Sequence, residues 1–267
     1  MRLLAALLAL VALAAFGDED PSRIYRANCV SCHGENRLGG MGPALLPENL
    51  ARLKKADAAR TIRDSRPGVQ MPAFRDVLSA QQIEALAAWI YTPLVPMPAW
   101  GESEIGASRI VLHPEASLPA KPKYAADPLN LFVVVEAGDH HVTILDGDRL
   151  EPIARFPSRF ALHGGPKYSP DGRYVYFASR DGWISKYDIW NLKYVAEVRA
   201  GINTRNLAVS GDGRTVMVAN YLPHTLVALD ARELSLLKVI LVRDDGGKTS
   251  EPVQSGKVLL LVQSILW

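Results

Sequence analysis

The spacing of apolar residues changes about one third of the way along the chain. In the first part, apolar side chains recur every three or four positions, most regularly over 49–64 and 78–91, with Ser79 as a helix cap. Such spacing predicts amphipathic helices with one buried face. After residue 128, apolar and polar residues alternate in short runs, for example 174–178 and 215–219, which is typical of strands. The pattern therefore predicts an all-α unit followed by an all-β unit.

The predicted strands follow a repeat. Asp146, Asp188 and Asp230 each end an alternating run, and they are spaced 42 residues apart. Asp-Gly pairs at 171–172 and 212–213 precede strands, as they do in hairpin turns. A unit of about 40 residues with several short strands matches a four-stranded blade of a β-propeller. Because successive blades hold the three aspartates apart, we expect them to cap turns and not to share a metal ion.

Residues 129–267 hold about three such units. The tripeptide at 255–257 and the apolar run 258–262 would begin a fourth. Closing a propeller takes about four to eight blades. We therefore interpret the chain as truncated at its C-terminus, with unpaired strand edges and no activity of its own.

Proline density marks a predicted linker over residues 93–128. Seven prolines lie there, at positions 93, 96, 98, 114, 119, 122 and 128. Because proline lacks the backbone N–H, we expect an extended chain without helix or central strand. His113 lies in this linker, where we expect it to pack or face solvent, since nothing nearby completes a metal site.

The N-terminus has the pattern of a secretory signal peptide. A charged start, Met1-Arg2, is followed by the apolar run 3–16 and then by Gly17 and acidic residues. The run is shorter than the roughly 20 residues of a membrane span, so we expect cleavage and a periplasmic protein without a membrane span. The predicted organisation is a leader over 1–17, a helical domain over 18–92, the linker over 93–128 and the strand-rich domain over 129–267.

The charge balance excludes one class of partner. Thirty lysines and arginines stand against 28 aspartates and glutamates, for a formal net charge of +2. A nucleic-acid-binding protein would need a basic patch, and we expect no such partner.

The strongest chemical signal is Cys29-Val-Ser-Cys32-His33. Two thiols three residues apart, followed by an imidazole, are the attachment motif of a covalent haem c, with His33 as an axial ligand of the iron. The alternatives are a redox dithiol, which does not need the histidine, and a zinc site, which needs four ligands. Since the chain has only these two cysteines, we expect no structural disulfide.

A sixth iron ligand is expected from a loop between the predicted helices. Met71 is followed by Pro72, which ends helical structure and leaves the thioether free to turn inward. Met41, in the glycine-rich loop 39–45, is the rival candidate. Methionine opposite histidine raises the haem potential, which suits an electron carrier. Together these features resemble a small class I cytochrome c.

The second half resembles the cytochrome cd1 family. The residues that carry the resemblance form a histidine-containing stretch and three short segments, at 160–173, 178–182, 201–206 and 219–223. The family has an eight-bladed propeller that holds the modified porphyrin haem d1. The similarity is closest to the branch that makes haem d1 from its dihydro precursor, and it extends from residue 21 to about residue 248. The family's distal and catalytic groups would lie beyond this range, so no catalytic residue is assigned.

The resemblance implies a set of residues that bind haem d1. His163 corresponds to the proximal iron ligand, and we expect it in a loop before a strand, facing a central cavity. Arg180 and Arg205 are expected to bind the carboxylates of haem d1, because a guanidinium can bind them in a fork. Tyr221 would stack on the macrocycle or donate a hydrogen bond to it. Lys167 and Asn206 are weaker candidates. His140 and His141 form a pair just before a strand, so at most one of the two rings can face a cofactor.

The implied function is an oxidoreductase. It would remove two electrons and two protons from dihydro-haem d1 and pass the electrons to haem c, with a redox partner protein as their final acceptor. The alternatives are a cytochrome cd1 nitrite reductase and a non-catalytic electron carrier or haem d1 shuttle that delivers the cofactor to an acceptor apoprotein.

Overall fold

The computed structural model describes residues 20–68, 70–244 and 246–247. The predicted leader over 1–17 and the predicted start of a fourth repeat at 255–262 lie outside the described residues. Within the described residues, no helix combines the length and the apolar character needed to cross a bilayer.

The first part of the chain is helical. Its helices are α1 (Pro21–Asn28), α2 (Val30–His33), α3 (Pro47–Leu50), α4 (Lys55–Asp64) and α5 (Ala80–Ile90). The helix expected over 49–64 is two helices, since residues 51–54 interrupt it. Ser79 is the N-cap of α5: its Oγ accepts from the N–H of Gln82 at 3.2 Å, and its N–H donates to Gln82 Oε1 at 2.8 Å. This capping box confirms the predicted cap.

One apolar core joins α1, α4 and α5. The buried face of α5 is made by Ile83, Leu86, Ala87 and Ile90. It packs with Tyr25 of α1 and Ile62 of α4 in a single cluster. Burying each large apolar side chain stabilises the fold by about 1.5–3 kcal/mol relative to exposure. The spacing of the apolar residues therefore accounts for how the helices pack.

Residues 93–128 are more structured than their prolines suggest. They contain α6 (Glu102–Ser108), the short strand β1 (Ile110–Val111) and a 3-10 turn (Glu115–Ser117). The prediction of an extended chain without helix is wrong over 102–108, because the prolines lie on both sides of the interval 99–113 and not inside it. Ile105 of α6 is completely buried in the core of the strand-rich part. Arg109 donates from Nε to the carbonyl of Glu233 at 2.8 Å, which ties the segment to a distant turn.

The strand-rich part consists of three antiparallel sheets. The first contains β2 (Leu131–Glu136), β3 (His141–Asp146) and β4 (Pro152–Pro157), and the second contains β5 (Leu162–Tyr168), β6 (Tyr174–Ser179), β7 (Trp183–Asp188) and β8 (Lys193–Arg199). The third contains β9 (Asn203–Val209), β10 (Thr215–Leu222), β11 (Thr225–Asp230) and β12 (Leu236–Leu241). Within each sheet, strands adjacent in sequence pair with each other, and β1 adds to β8 at the outer edge of the second sheet. This arrangement is typical of propeller blades.

The turns confirm the repeat. Gly172 and Gly213 have φ angles of 70° and 69° in the β5–β6 and β9–β10 hairpins, conformations that glycine adopts without strain. Asp146, Asp188 and Asp230 each accept a backbone N–H from the turn that follows, at 2.8, 3.0 and 2.9 Å. The three aspartates are turn caps, as expected.

The two parts of the molecule meet through a small apolar cluster. Ala44 and Leu46 of the helical part are buried against Ile202 of the strand-rich part. Side chains packed around them are Leu38, Leu94, Trp100 and Leu222. The loop that follows the Cys-x-x-Cys-His motif therefore lies directly on the second and third sheets.

Candidate functional site

The two cysteines lie on the first helical turn after α1. Cys29 lies between α1 and α2, while Cys32 and His33 belong to α2, and the N–H of His33 donates to the carbonyl of Cys29 at 2.9 Å. Both thiols are free and half-buried. Burial, together with the neighbouring Cys32, raises the pKa of Cys29 to about 11. A reactive redox dithiol needs one thiol with a lowered pKa, and the burial of Cys29 acts against this at that position.

The zinc alternative also lacks support. Over residues 20–68, 70–244 and 246–247, no group of three or more histidine, cysteine, aspartate or glutamate side chains is placed to hold a metal ion. A zinc site built on the two cysteines would need two further ligands.

One hydrogen bond fixes the tautomer of the His33 imidazole. Its Nδ1 lies 2.8 Å from the carbonyl of Pro43, which can only accept, so Nδ1 carries the proton and Nε2 has a free lone pair. The side chain is buried, and burial lowers the pKa of His33 against the opposing effect of this hydrogen bond. The neutral ring with a free Nε2 fits a haem iron.

The glycine-rich loop 39–45 packs against this ring. A Cβ on Gly42 would lie 2.8 Å from Cε1 of His33, closer than any side chain could approach. The N–H of Gly42 donates to the carbonyl of Cys32 at 2.8 Å. Gly42 therefore lets the backbone, and with it Pro43, come within hydrogen-bonding distance of the imidazole.

Met71 and Met41 have different surroundings. Met71 packs against the same apolar cluster as Cys29, whereas Met41 is 61% exposed. The carbonyl of Met71 accepts a hydrogen bond from Ser65 Oγ, and Phe74 N–H donates to the carbonyl of Ile62 at 3.0 Å, so the loop is fixed on the end of α4. These contacts favour Met71 over its rival, and its role as sixth ligand remains a prediction.

His163 lies in a strand, not in the loop where we expected it. It is the second residue of β5 and pairs with Ala178 of β6. The next paired residues are Lys167 and Tyr176, so residues 164–166 bulge out opposite the single residue 177. The sequence Leu-His-Gly-Gly-Pro lacks the alternation that marks a strand, which explains why the start of β5 was missed.

The imidazole of His163 borders a small cavity. The cavity has a volume of about 90 Å³ and is lined by Val135, Leu162, His163, Gly165, Pro166, Phe177 and Ala178. Its walls come from the first and second sheets, and apart from the histidine they are apolar. His163 is thus the polar group of a small apolar cavity, and its predicted role facing the cofactor cavity stays a prediction.

Arg205 contacts His163 directly. Its Nη1 donates to Nε2 of the imidazole, although the two residues belong to different sheets. A guanidinium cannot accept a hydrogen bond, so Nε2 is the acceptor and His163 is neutral with its proton on Nδ1. Burial, followed by the positive charges of Arg205 and Arg180, lowers the pKa of His163. The three predicted residues therefore form one cluster.

Bulges direct two of the site residues. Between the pairs Asn206–Ala219 and Thr204–Asn220, Arg205 has no partner on β10. Between Asn220 and Leu222, Tyr221 has no partner on β9. Such bulges turn side chains away from the regular alternation of a strand. Tyr221 is half-buried on the same section of the sheet as Arg205.

Lys167 and Asn206 support the bulge that follows His163. Lys167 Nζ donates to the carbonyl of Gly164 at 2.7 Å, and burial lowers the pKa of this lysine. A Cβ on Gly164 would lie 2.3 Å from Oδ1 of Asn206, so only glycine fits there. These contacts give both weaker candidates a structural role.

Three further histidines, His113, His140 and His141, contact backbone or packed side chains. His140, in the turn before β3, packs its ring edge-on against Phe160 at 5.3 Å. His141 Nδ1 lies 2.9 Å from the carbonyl of Asp139, and His113 Nδ1 lies 2.8 Å from that of Tyr194. The packing role expected for His113 is thus confirmed.

Two residues between the sites were missed by the sequence analysis. Asp181 is buried in the β6–β7 turn, and burial raises the pKa of its carboxyl group to about 6. Arg199 is buried beside it and reaches the helical part. Asp181 belongs to the segment 178–182 that carried the resemblance, whereas no motif singles out Arg199.

Comparison with known families gives one match for each part. The family model of the Cytochrome D1 heme domain matches residues 126–264. The family model of Cytochrome C oxidase, cbb3-type, subunit III matches residues 18–90.

Individual relatives cover both parts. Dihydro-heme d1 dehydrogenase of Pseudomonas aeruginosa is 59% identical over 252 residues, which is 94% of this chain and 51% of that protein. Nitrite reductase of Stutzerimonas stutzeri is 27% identical over 256 residues, 88% of this chain and 45% of that protein. The solved structure of dihydro-heme d1 dehydrogenase NirN in complex with DHE superposes with a TM-score of 0.81 at 60% identity, covering 87% of this chain and 50% of that one. The chain thus spans about half the length of the curated relatives it matches.

Proposed function

The chain belongs to the Cytochrome D1 heme domain family, and from this premise we propose that it is part of a periplasmic oxidoreductase that converts dihydro-haem d1 to haem d1. The electrons would pass to a haem c attached to Cys29 and Cys32, and from there to a partner protein. The observation that carries the proposal is the cluster of His163, Arg180 and Arg205 beside a cavity, in a chain that also carries a complete haem c motif. The similarity to a dihydro-heme d1 dehydrogenase supports the choice of substrate.

In the helical part, His33 would hold the iron of haem c. Pro43 fixes the tautomer of His33, and the backbone of Gly42 packs against its ring. Met71, on the loop that is fixed to the end of α4, would supply the second ligand. When bound, the two haems supply the electron-transfer chemistry, and the protein sets their ligands and surroundings.

In the strand-rich part, the residues serve binding and orientation. His163 is kept neutral, the form that can ligate a metal, because burial and two nearby guanidinium groups disfavour its protonation. Arg205 now occupies the position in front of Nε2, and Arg180 is exposed on the adjoining turn. Both guanidinium groups are suited to forked hydrogen bonds with macrocycle carboxylates. Two arginines at the site would favour a tetrapyrrole that carries several carboxylates.

The proposal is tested by mixing the complete oxidoreductase, carrying oxidised haem c, with half an equivalent of dihydro-haem d1 in the absence of oxygen, so that two haem c groups accept the two electrons and the two protons go to the buffer. We expect the absorption of reduced haem c to appear together with that of haem d1. The variant His163→Ala should bind the substrate weakly and leave haem c oxidised, while its haem c spectrum stays that of the unchanged protein.

Other outcomes select other functions. Tight binding of dihydro-haem d1 with an unchanged haem c spectrum would contradict the proposal and favour a haem d1 shuttle. Formation of nitric oxide from nitrite by the protein loaded with haem d1 would favour a nitrite reductase.

A further inference from the structure

Arg199, at the end of β8, places a buried cation where the two parts of the molecule meet. Its Nε donates to the carbonyl of Asp181 at 2.8 Å, and its Nη2 donates to the carbonyl of Leu38 in the helical part. The guanidinium carbon lies 4.6 Å from the centre of the Trp100 ring, and Trp100 Nε1 donates to the carbonyl of Arg199 at 2.9 Å. Only 9% of Arg199 is exposed. Partners from three separate segments therefore fix the position of this side chain.

Leu38 begins the loop that holds the axial imidazole. The N–H of the next residue, Gly39, donates to the carbonyl of His33 at 2.9 Å. Further along the loop, the carbonyl of Pro43 accepts the hydrogen bond from Nδ1 of His33. Arg199 thus binds the carbonyl of Leu38, and the next residue, Gly39, makes the backbone hydrogen bond to His33.

The other partner of Arg199 lies in the turn 179–182, which borders the site in the strand-rich part. In this turn the N–H of Arg180 donates to the carbonyl of Ala161 at 3.1 Å, and the carbonyl of Arg180 accepts from Thr204 at 3.2 Å. Ala161 precedes the strand that carries the candidate iron ligand, and Thr204 precedes the arginine that contacts it. Asp181 follows directly in the same turn. One short turn therefore touches both strands of the second site and, through Arg199, the loop of the first.

We propose that Arg199 is a positioning residue that couples the two cofactor sites, because it holds the haem c loop 38–43 on the turn 179–182. A guanidinium can donate to two carbonyls in a fixed fork and stack on an indole at the same time, which the ammonium group of lysine cannot do. Methionine would leave both buried carbonyls without a donor. The coupling to the site of His163 and Arg205 rests on the proposed function. The effect of Arg199 on the haem c loop does not depend on that function.

The test compares Arg199→Met and Arg199→Lys with the exposed control Arg214→Met, all made in the complete oxidoreductase with haem c attached. Two readings are taken with and without added haem d1: the midpoint potential of haem c, and the charge-transfer band of its oxidised form. In Arg199→Met we expect a lower midpoint potential of haem c, since a nearby positive charge favours the reduced haem. We also expect a weaker charge-transfer band in this variant.

In Arg199→Lys the midpoint potential of haem c should stay close to that of the unchanged protein, because the charge is kept. The shift of the haem c potential on addition of haem d1 should be present in the unchanged protein and in the control, and lost in both Arg199 variants.

A folded Arg199→Met protein with the potential, the band and the haem d1-induced shift of the unchanged protein would overturn the proposal. If Arg199→Met does not fold, Arg199→Lys decides, and retention of the full shift in that variant would overturn the coupling. Binding of haem d1 to the unchanged protein without any shift would also overturn it. If haem d1 does not bind at all, the proposed function fails, while the readings on haem c alone still decide whether Arg199 positions the loop.

Discussion

The two candidate sites differ in how far apart their residues lie along the chain. The attachment motif and the His33 ligand of haem c lie within residues 29–43, where the thiols, the imidazole and its hydrogen-bond acceptor follow one another, and Met71 is added from a separate loop. The site in the strand-rich part combines residues 163, 180 and 205, which belong to two sheets and meet only because the sheets pack together. Covalent attachment at the first site should therefore respond mainly to changes in its own loop, whereas the second site should respond to changes in the register of several strands.

The largest expected effect is the loss of covalent haem from the local site. Cys32→Ala removes one of the two thioether bonds, and we expect covalently attached haem to fall by at least tenfold, because the remaining thiol cannot hold the cofactor in place. Haem staining after denaturing electrophoresis measures this. Ser31→Ala, an exposed neighbour in the same turn, is the control and should leave attachment unchanged. Full covalent attachment of haem in Cys32→Ala would contradict the role of Cys32 in binding haem c.

Gly42→Ala tests whether backbone packing holds the imidazole. The added methyl group would lie 2.8 Å from the His33 ring, and overpacking of this kind costs about 1–3 kcal/mol of unfolding free energy. Gly106→Ala, on α6 with open space around it, should instead stabilise by about 0.5–1 kcal/mol. Denaturant unfolding of both variants measures the difference. Equal effects in the two variants would contradict the tight contact.

The non-local site is tested with Arg205→Ala. Loss of a charged hydrogen-bond donor should weaken the binding of haem d1 by roughly 10- to 100-fold, about 1.5–3 kcal/mol. Arg205→Lys should lie in between, since it keeps the charge without the fork. Titration followed by the absorption of the macrocycle measures the affinity. Arg214→Ala, whose side chain is 84% exposed on the β9–β10 turn, should bind normally. An unchanged affinity in Arg205→Ala would remove this residue from the site.

The smallest effect concerns pH. Burial raises the pKa of Asp181 to about 6 from 3.8, so the folded state binds its proton more tightly than the unfolded state. Stability therefore falls as the pH rises from about 3.8 to about 6, the full cost of ionisation is present above pH 6, and this cost disappears only as the pH falls towards 3.8. Between pH 5 and pH 7 the wild type should lose about 1 kcal/mol relative to Asp181→Asn.

Chemical unfolding at the two pH values measures this loss. Asp212→Asn, at an exposed turn where hydrogen bonds lower the pKa of the carboxyl group, should not reproduce it. The same pH dependence in wild type and Asp181→Asn would contradict the assignment to Asp181.

Sequence patterns predicted the local features well. The apolar spacing with Ser79 predicted α5 and its cap, and the 42-residue repeat predicted three sheets with aspartate-capped turns. The haem motif needed no tertiary information, because all its chemistry lies in five consecutive residues. The extended linker was predicted wrongly over α6, because the prolines that flank it do not prevent a helix between them.

The second site could be predicted only through resemblance to a family. His163 and Arg205 carry no signal of their own, since a single histidine or arginine is far more often structural. Their proximity depends on a bulge in β5 and another in β9, and bulges leave little trace in the alternation of a strand. Arg199 was missed for the same reason: its partners lie 18, 99 and 161 residues away in the sequence.

The segment with α6 and β1 is packed into the strand-rich part, so only residues 93–101 connect it to the helical part. It is embedded at Ile105, paired with β8 through β1 and hydrogen-bonded from Arg109 to a distant turn. A flexible tether would make electron transfer depend on how often the donor and acceptor meet, and therefore on tether length and solvent viscosity. Because the two parts also pack together around Ile202, lengthening the chain within 93–101 should slow the proposed electron transfer only if that apolar cluster separates.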